Sequence, residues 1–393
     1  MDNSITYDRF FYQLSQENYE ICYGILNDNN SISRIESHIL NSVIYIDMLY
    51  YTFTQTSIDD EICINLMKEL LDELKNSILV SDNPIFFELQ SIIEVKINQF
   101  MIYKELIGAD YSISLDLNRR FETLLRKLSP LQNYELLPYK ENLVCQITSL
   151  QNLVLAFKSL STFNYMGTIL ALTQAHSNIQ QWEKVFIHKK YSPMDPNNSK
   201  VNNNELHKYL LKVLHCLIAK ATLYFQANLS SIHNIEILEF GDEYITSRRV
   251  CTKCAELKIH YLALMLDTKD LQAYKNFKEG GYKCLRQPLN VPLPEDKFLS
   301  VYENKWRPEE LPSATKNALI STLEGEFSDL QLGKPNALSV QENNLDVHFH
   351  LAKVDSSVYL VSAHAYAVRR PKNEKNEITE FINSLASQIK VFG

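Results

Sequence analysis

Apolar side chains recur with the period of an α-helix along most of the first 230 residues. One such series follows Ser57 and Asp60, which are spaced as in a capped helix start. Its apolar members lie three or four positions apart: Cys63, Met67, Leu70, Leu74 and Ile78. Because residues at this spacing share one face of a helix, the pattern predicts a bundle of amphipathic helices.

Two further helices are predicted to start at Pro84 and at Pro138, since proline is favoured in the first helical turn. Residues 143–157 carry the narrow apolar seam of a helix packed in a bundle. Residues 206–229 are apolar almost all round, which predicts a central helix buried by several neighbours. Residues 191–203 are polar and contain two prolines, so we expect a surface loop there.

From about residue 258 the pattern changes to short strand-like runs, predicted over 259–266, 297–302, 345–351 and 358–368. Helices are predicted over 243–257, over 313–330 and behind Asn376, whereas 267–297 is expected to be a loop. The order α-β-β-α-β-β-α is typical of a small antiparallel sheet with helices against one face. The sequence therefore predicts an α+β multidomain fold, with an all-α helical bundle over 1–235 followed by a small α+β domain over 236–393.

Length and composition support this division into two domains. A chain of 393 residues exceeds the size at which one hydrophobic core usually stops growing. Only 9 residues are glycine, well below the usual usage of about 7%, which favours helices over turn-rich all-β folds. The net charge of −8 repels nucleic acid and anionic membrane surfaces, so neither is an expected partner.

The sequence also predicts a cytoplasmic protein without a membrane span. Residues 1–11 have neither the basic start nor the apolar stretch of a secretory signal. No uninterrupted run of 18 apolar residues occurs, as a spanning helix would need. The seven cysteines are an odd number and fall mostly at apolar helical positions, which indicates reduced, buried thiols.

Sequence motifs of common catalytic sites are missing. The chain has no G-x-x-x-x-G-K-[ST], G-x-G-x-x-G, H-E-x-x-H or G-x-S-x-G motif. We therefore expect no cofactor and no catalytic residues. One alternative is a zinc enzyme built from Cys251, Cys254 and Cys284 with either His233 or His260. Because Cys251 and Cys254 fall on a predicted helix, a shared buried face is the simpler interpretation of their spacing.

A second possible metal site comprises three histidines. His348 and His350 alternate on a predicted strand, so both side chains point to one face, and His364 on the neighbouring strand could join them. The simpler interpretation is a row of polar residues on a solvated face of the sheet, so we expect no metal here.

Four residues are candidates for contact with a partner. Trp306 and Arg307 lie in a stretch without periodicity, where an exposed tryptophan beside an arginine is typical of an interface. Arg369 and Arg370 follow the last predicted strand and could contact an acidic partner or a phosphoinositide headgroup, although a solvated loop is the simpler interpretation. Trp182 lies on the apolar stripe of its helix and is expected in the core.

Two helical segments resemble a known family. Residues 175–186, which include His176 and Gln180, look like the A-H-x-x-L-Q-x-W-x-x-I-F stretch of the KICSTOR complex subunit 2 family. The segment that ends in Lys220 and continues to Tyr224-Phe225 is similar to the family's K-L-x-x-x-L-L-A-K…Y-F helix. Weaker similarities follow the family's order at Phe10-Phe11, 261–267, 381–383 and Val391-Phe392.

The resemblance implies a non-enzymatic subunit of a scaffold associated with lysosomes. Such a scaffold recruits the GATOR complex and restrains target-of-rapamycin signalling when amino acids or glucose are short. The implied partners are β-propeller subunits, a very large scaffold chain and GATOR. The implied location is peripheral, on the lysosomal membrane through the complex. The implied second domain is roadblock- or longin-like, which also leaves open a small-GTPase regulator or a membrane-trafficking adaptor.

Overall fold

The computed structural model describes most of the chain, namely residues 2–28, 32–52, 60–78, 84–108, 116–187, 204–226, 244–279, 294–305, 313–326, 330, 336–342, 345–365 and 372–391. These residues fall into two compact units. The first unit comprises Met1–Ile107, Ser114–Asn152 and Thr173–Lys212. The second unit comprises Gly108–Ile113, Leu153–Leu172 and Val213–Gly393.

Helices make up the described chain as far as residue 226. They are α1 (Asp2–Ser15), α2 (Tyr19–Asp28), α3 (Arg34–Thr52), α4 (Asp60–Ile78), α5 (Pro84–Gly108), α6 (Asp116–Leu128), α7 (Leu137–Ser161), α8 (Tyr165–Trp182) and α9 (Glu205–Tyr224). One π-helical turn, Glu183–Ile187, extends α8.

The predicted helical periodicity is confirmed where the structure describes it. In α4 the predicted stripe is buried at Cys63, Met67, Leu70 and Leu74, and α5 begins at Pro84 as expected. Helix α9 covers most of the central helix predicted over 206–229. The expected cap at Ser57 and the loop expected over 191–203 lie outside the described residues.

The rest of the chain alternates helices with strands. The elements are α10 (Ser247–Glu256), β1 (Tyr261–Asp267), α11 (Leu271–Lys278), β2 (Phe298–Lys305), α12 (Ser313–Glu326), β3 (Asn336–Glu342), β4 (Leu345–Lys353), β5 (Val358–Ala365) and α13 (Lys372–Lys390). All strand pairs are antiparallel, in the order β2-β1-β5-β4-β3. The predicted α+β class, with a helical bundle and a small antiparallel sheet, is confirmed.

Two elements were not predicted from the sequence. Strand β3 occupies the segment NALSVQE. Its only large apolar residues are Leu338 and Val340, which are too few to predict a strand. Helix α11 lies inside the stretch expected to be a loop. It starts behind Asp270, whose carboxylate accepts a hydrogen bond from the Ala273 N–H at 3.0 Å, as a helix cap does.

The sheet is covered on both faces, whereas the sequence predicted helices against one face. Leu319 and Leu323 of α12 join a core cluster with Met265 and Phe349. On the other face, the Tyr302 hydroxyl of β2 lies 3.4 Å from the backbone oxygen of Ser247 in α10. Strand β1, which lies between β2 and β5, is accordingly buried from Tyr261 to Leu266, which explains its continuous apolar run.

One described helix, α7, has the length and apolar composition of a membrane-crossing helix. More than half of its most apolar window is buried inside the protein. That burial is what the core helix of a folded domain shows.

Candidate functional site

The first segment that carries the family resemblance is tied into the interior of the first unit by Trp182. This side chain is fully buried, which confirms its assignment to the core. Its indole N–H donates a hydrogen bond to Oδ1 of Asn142 at 3.0 Å. Its ring meets His207 of α9 edge to face, at 5.3 Å between centroids. Tryptophan here supplies both apolar area and a satisfied donor.

Asn142 connects this contact to other helices. Its amide nitrogen donates to the backbone oxygen of Ser15 at 2.7 Å, at the end of α1. Its Oδ1 also accepts from the Gln146 amide at 2.6 Å, and Gln146 donates further to the Tyr51 hydroxyl at 2.7 Å. Trp182 is therefore part of a polar network that fixes α1, α3, α7 and α8 within the first unit.

The second family-like segment contains a buried ion pair, which lies in the second unit. Lys220 of α9 is 0% exposed and Asp355, in the turn between β4 and β5, is 1% exposed. The Lys220 ammonium lies 2.6 Å from Oδ2 of Asp355. We call these two residues, with the groups that contact them, the Lys220 centre.

Three other groups donate hydrogen bonds to the Asp355 carboxylate. The Tyr224 hydroxyl lies 3.1 Å from Oδ2, and the Ser161 hydroxyl lies 3.0 and 3.1 Å from the two oxygens. The Ser356 backbone N–H donates to Oδ1 at 2.8 Å. A buried carboxylate with this many donors is well compensated for its lost hydration.

Aromatic rings enclose the Lys220 ammonium. It lies 4.6 Å from the ring centroid of Phe157 and 5.1 Å from that of Tyr224. Phe163 stacks on Tyr224 with 5.0 Å between centroids. Burial lowers the pKa of Lys220, while the Asp355 charge opposes that shift. The Lys220 ammonium is fully buried, so a substrate cannot reach it. We therefore interpret the Lys220 centre as a structural contact between α9 and the β4–β5 turn.

A similar centre in the first unit was not found from the sequence. Lys96 of α5 is buried and pairs with Asp47 of α3, and the Tyr139 hydroxyl donates to Oδ1 of Asp47 at 2.7 Å. The ammonium lies 4.5 Å from the Tyr139 ring centroid, 4.9 Å from that of Tyr50 and 5.4 Å from that of Tyr51. The available signal was an aspartate between apolar residues in YIDML and a lysine between apolar residues in VKI, each within a helical stretch. We call this the Lys96 centre.

The predicted partner-contact residues Trp306, Arg307, Arg369 and Arg370 lie outside the described residues. Their assignment therefore stays a prediction.

The cysteine pair has different environments at its two positions. Cys254 is buried on α10, and burial raises the pKa of its thiol to about 12, with a smaller opposing effect from Asn304. Cys251 is exposed, with its sulfur 3.8 Å from the Tyr302 hydroxyl. Cys284 and His233 lie outside the described residues. Within the described part of the chain, no three potential ligands are grouped around a common point. A thiol with a raised pKa is a poor zinc ligand, because zinc binds the thiolate.

The three histidines do share one face of the sheet, as predicted. The His364 ring lies 5.5 Å from that of His348 and 5.3 Å from that of His350, nearly parallel to both. The expectation of a solvated face is wrong, because His350 and His364 are both buried. Burial, and secondarily His348, lowers the pKa of His350 to about 4. The described residues form no metal-binding group here either.

An open groove lies between α10 and α13 in the second unit, with a volume of about 660 Å³. Charged side chains of both helices line it, together with the apolar residues Leu257 and Phe381. We call it the α10–α13 groove. Since the Lys220 and Lys96 centres are closed to solvent, this groove is the better candidate for a site that binds another molecule.

Comparison with known proteins gives one family. The family model described as KICSTOR complex C12orf66 like matches residues 80–392. A search of curated proteins finds no match to the chain. The matched region includes α5 to α13, with Trp182, the Lys220 centre and the complete sheet. Because the match covers most of the sequence, this chain belongs to the KICSTOR complex C12orf66-like family.

Proposed function

We propose that this protein is a non-enzymatic scaffold or adaptor subunit of a KICSTOR-like complex. In this role it helps to recruit the GATOR complex to lysosomes and restrains target-of-rapamycin signalling when amino acids or glucose are short. The observation that carries the proposal is the family match over residues 80–392.

The positions of the family-like residues agree with a scaffold role. Trp182, Lys220 and Tyr224 are all buried, and each connects elements of its own unit. Buried residues of this kind stabilise the fold, and a partner would have to bind to other, exposed residues. A scaffold works in this way, since its binding energy comes from a few anchor residues within a buried interface.

We propose the remaining features of the role on the same basis. The protein associates with β-propeller subunits, a very large scaffold chain and GATOR, and reaches the lysosomal membrane through the complex. Its second domain, over 236–393, is roadblock- or longin-like, and its first domain covers 1–235. The antiparallel sheet covered by helices on both faces is compatible with this assignment.

The test is affinity purification of the tagged full-length protein from its own cells, fed and starved, followed by mass spectrometry. We expect β-propeller subunits, one very large chain and GATOR components to co-purify. Deleting the gene should keep target-of-rapamycin substrates phosphorylated during starvation, and re-expression of the wild-type protein should reverse this effect.

A destabilised variant serves as a comparison, because it tests whether rescue depends on the amount of folded protein. Lys220→Met removes the cation of a buried pair and should reduce rescue through instability. Recovery of a GTPase or a trafficking complex in place of GATOR would contradict the proposal and favour the trafficking-adaptor alternative.

A further inference from the structure

The α10–α13 groove has walls of opposite charge. Arg249 and Lys253 of α10 form one wall, and Glu377 and Glu380 of α13 form the other. Lys253, Glu377 and Glu380 are exposed, and Arg249 is half-buried. The Arg249 guanidinium also donates a hydrogen bond to the backbone oxygen of Tyr244 at 2.9 Å. Because the charges of Lys253, Glu377 and Glu380 reach solvent, a molecule that enters the groove can contact them. The Lys253–Glu256 contact of 2.6 Å is an exposed pair on α10, which holds Lys253 only weakly.

The groove is preformed by a pair of hydrogen bonds at Ile245. The Ile245 N–H donates to Oε1 of Gln388 at 2.6 Å, and the Gln388 amide donates back to the Ile245 oxygen at 2.9 Å. These bonds fix the chain before α10 to α13. Below Phe381, the inward face of α13 is buried through Ile378, Ile382 and Leu385. Because the two helices are already held together, binding in the groove loses less conformational entropy.

We propose that the α10–α13 groove binds an α-helix from another protein subunit. An apolar stripe of that helix lies on Phe381, one edge carries acidic residues that face Arg249 and Lys253, and the other carries basic residues that face Glu377 and Glu380. This inference deepens the scaffold role, and it relies on that role only for the subunit that supplies the helix.

A helix fits this groove better than other ligands do. Two neighbouring helices form its walls, and packed helices receive a third by placing ridges of side chains into such grooves. An extended strand would need a free sheet edge, which α10 and α13 do not provide. A nucleic acid or an anionic membrane would be repelled by Glu377 and Glu380, and by the net charge of −8.

The opposite charges of the walls determine the direction of the bound helix. Turning a helix end for end, with its apolar stripe still on Phe381, exchanges its two edges. A helix with one acidic and one basic edge therefore has one favourable direction. A helix with like charges on both edges meets repulsion at one wall in either direction.

Three synthetic peptides test the inference directly. Each has about 18 residues, above the length at which isolated helices are marginal, and the same leucine stripe. The edges carry glutamate and lysine in the first, glutamate only in the second and lysine only in the third. Fluorescence anisotropy with the purified full-length protein should show the first peptide binding about tenfold more tightly than either of the others. Raising the salt concentration should reduce this preference.

A double variant reverses the selection. Glu377→Lys with Glu380→Lys makes both walls basic, so the variant should prefer the peptide with glutamate on both edges. Both positions are exposed, and the fold should be retained. The matched control is Glu61→Lys with Glu69→Lys on α4, which changes the net charge equally at exposed positions of the first unit. The control should keep the wild-type order of affinities.

Equal binding of the three peptides, or an unchanged order in Glu377→Lys with Glu380→Lys, would overturn the inference. Because these measurements use the purified protein alone, such a result leaves the scaffold proposal intact. Conversely, the absence of GATOR from the affinity purification leaves the peptide result unaffected.

Discussion

The Lys220 and Lys96 centres place the same chemistry in two units of the molecule, with different degrees of compensation. In each, a buried lysine pairs with an aspartate, aromatic rings surround the ammonium, and a tyrosine hydroxyl contacts the carboxylate. Asp355 also accepts hydrogen bonds from Ser161 and from the Ser356 N–H. Oδ2 of Asp47, in contrast, accepts no hydrogen bond from the described residues.

This difference implies that two buried ion pairs of the same residue types contribute differently to the free energy of unfolding. Removing two charges from water costs several kcal/mol each, and the pair must recover that cost through geometry and additional hydrogen bonds. The Lys220 centre recovers more of it, because its carboxylate has more donors. The Lys96 centre relies to a larger extent on its three tyrosine rings.

The largest expected effect is that of removing either lysine. Lys220→Met and Lys96→Met should each lower the free energy of unfolding by about 3–5 kcal/mol, because each leaves a buried carboxylate without its cation. Denaturant unfolding measures the loss, and hydrogen exchange locates it in the second or the first unit. Lys253→Met, which alters an exposed pair, is the control and should stay within about 0.5 kcal/mol of the wild type. A similarly small loss in the buried variants would show that the centres are not structural.

Replacing both charged residues of one centre with apolar residues should affect stability differently in the two centres. Lys96→Met with Asp47→Leu should cost only about 1 kcal/mol, since Tyr139 is the one described hydrogen-bond donor left without its acceptor. Lys220→Met with Asp355→Leu should cost about 3 kcal/mol, because several donors lose theirs. The same unfolding titrations measure both values. Equal losses of unfolding free energy in the two double variants would contradict the proposed difference in compensation.

Acid should weaken the second unit selectively through His350. Its pKa is about 4 in the folded protein and near 6.5 when unfolded, so the unfolded chain binds more protons between these values. Stability is therefore complete above pH 6.5 and falls as the pH decreases toward 4. Between pH 7.5 and 5.0 the loss from this residue should be about 2 kcal/mol. His350→Gln should flatten the dependence, and hydrogen exchange at each pH should place the change in β4 and β5. An equally steep slope in His350→Gln would assign it to other groups.

Removing a single tyrosine hydroxyl should have a smaller effect than removing either lysine. Tyr139→Phe should cost about 2 kcal/mol, because it leaves the Asp47 carboxylate with Lys96 as its described partner. Tyr224→Phe should cost about 1 kcal/mol, since Asp355 keeps Lys220, Ser161 and Ser356. Thermal unfolding of the matched pair is sufficient to rank them. The reverse order would mean that hydration, and not the Tyr139 hydroxyl, compensates the Asp47 carboxylate.

The sequence predicted those features that depend on local periodicity. The stripe of α4, the start of α5 and four of the strands follow from spacing alone, and so does the burial of Trp182. Strand β3 was missed because its alternation is weak, and α11 because its length of 8 residues gives little periodic signal.

The ion pairs could not be predicted, because each joins distant parts of the chain. The resemblance identified Lys220, but its partner Asp355 lies 135 residues later in a short polar turn that suggests only a hairpin. Asp47 and Lys96 are 49 residues apart on different helices. The roles of Trp306 and Arg369, and the domain division at residue 235, stay predictions.

The distance between Lys220 and Asp355 also has a consequence during protein synthesis. At about 5–20 residues per second, Lys220 is made roughly ten seconds before the aspartate that neutralises it. Throughout that interval, a nascent chain carries α9 without the counter-ion of Lys220, and the Tyr224 hydroxyl lacks its acceptor on Asp355. Chaperones that recognise exposed aromatic surface therefore have a defined period in which to act, and it ends when the β4–β5 turn leaves the ribosome.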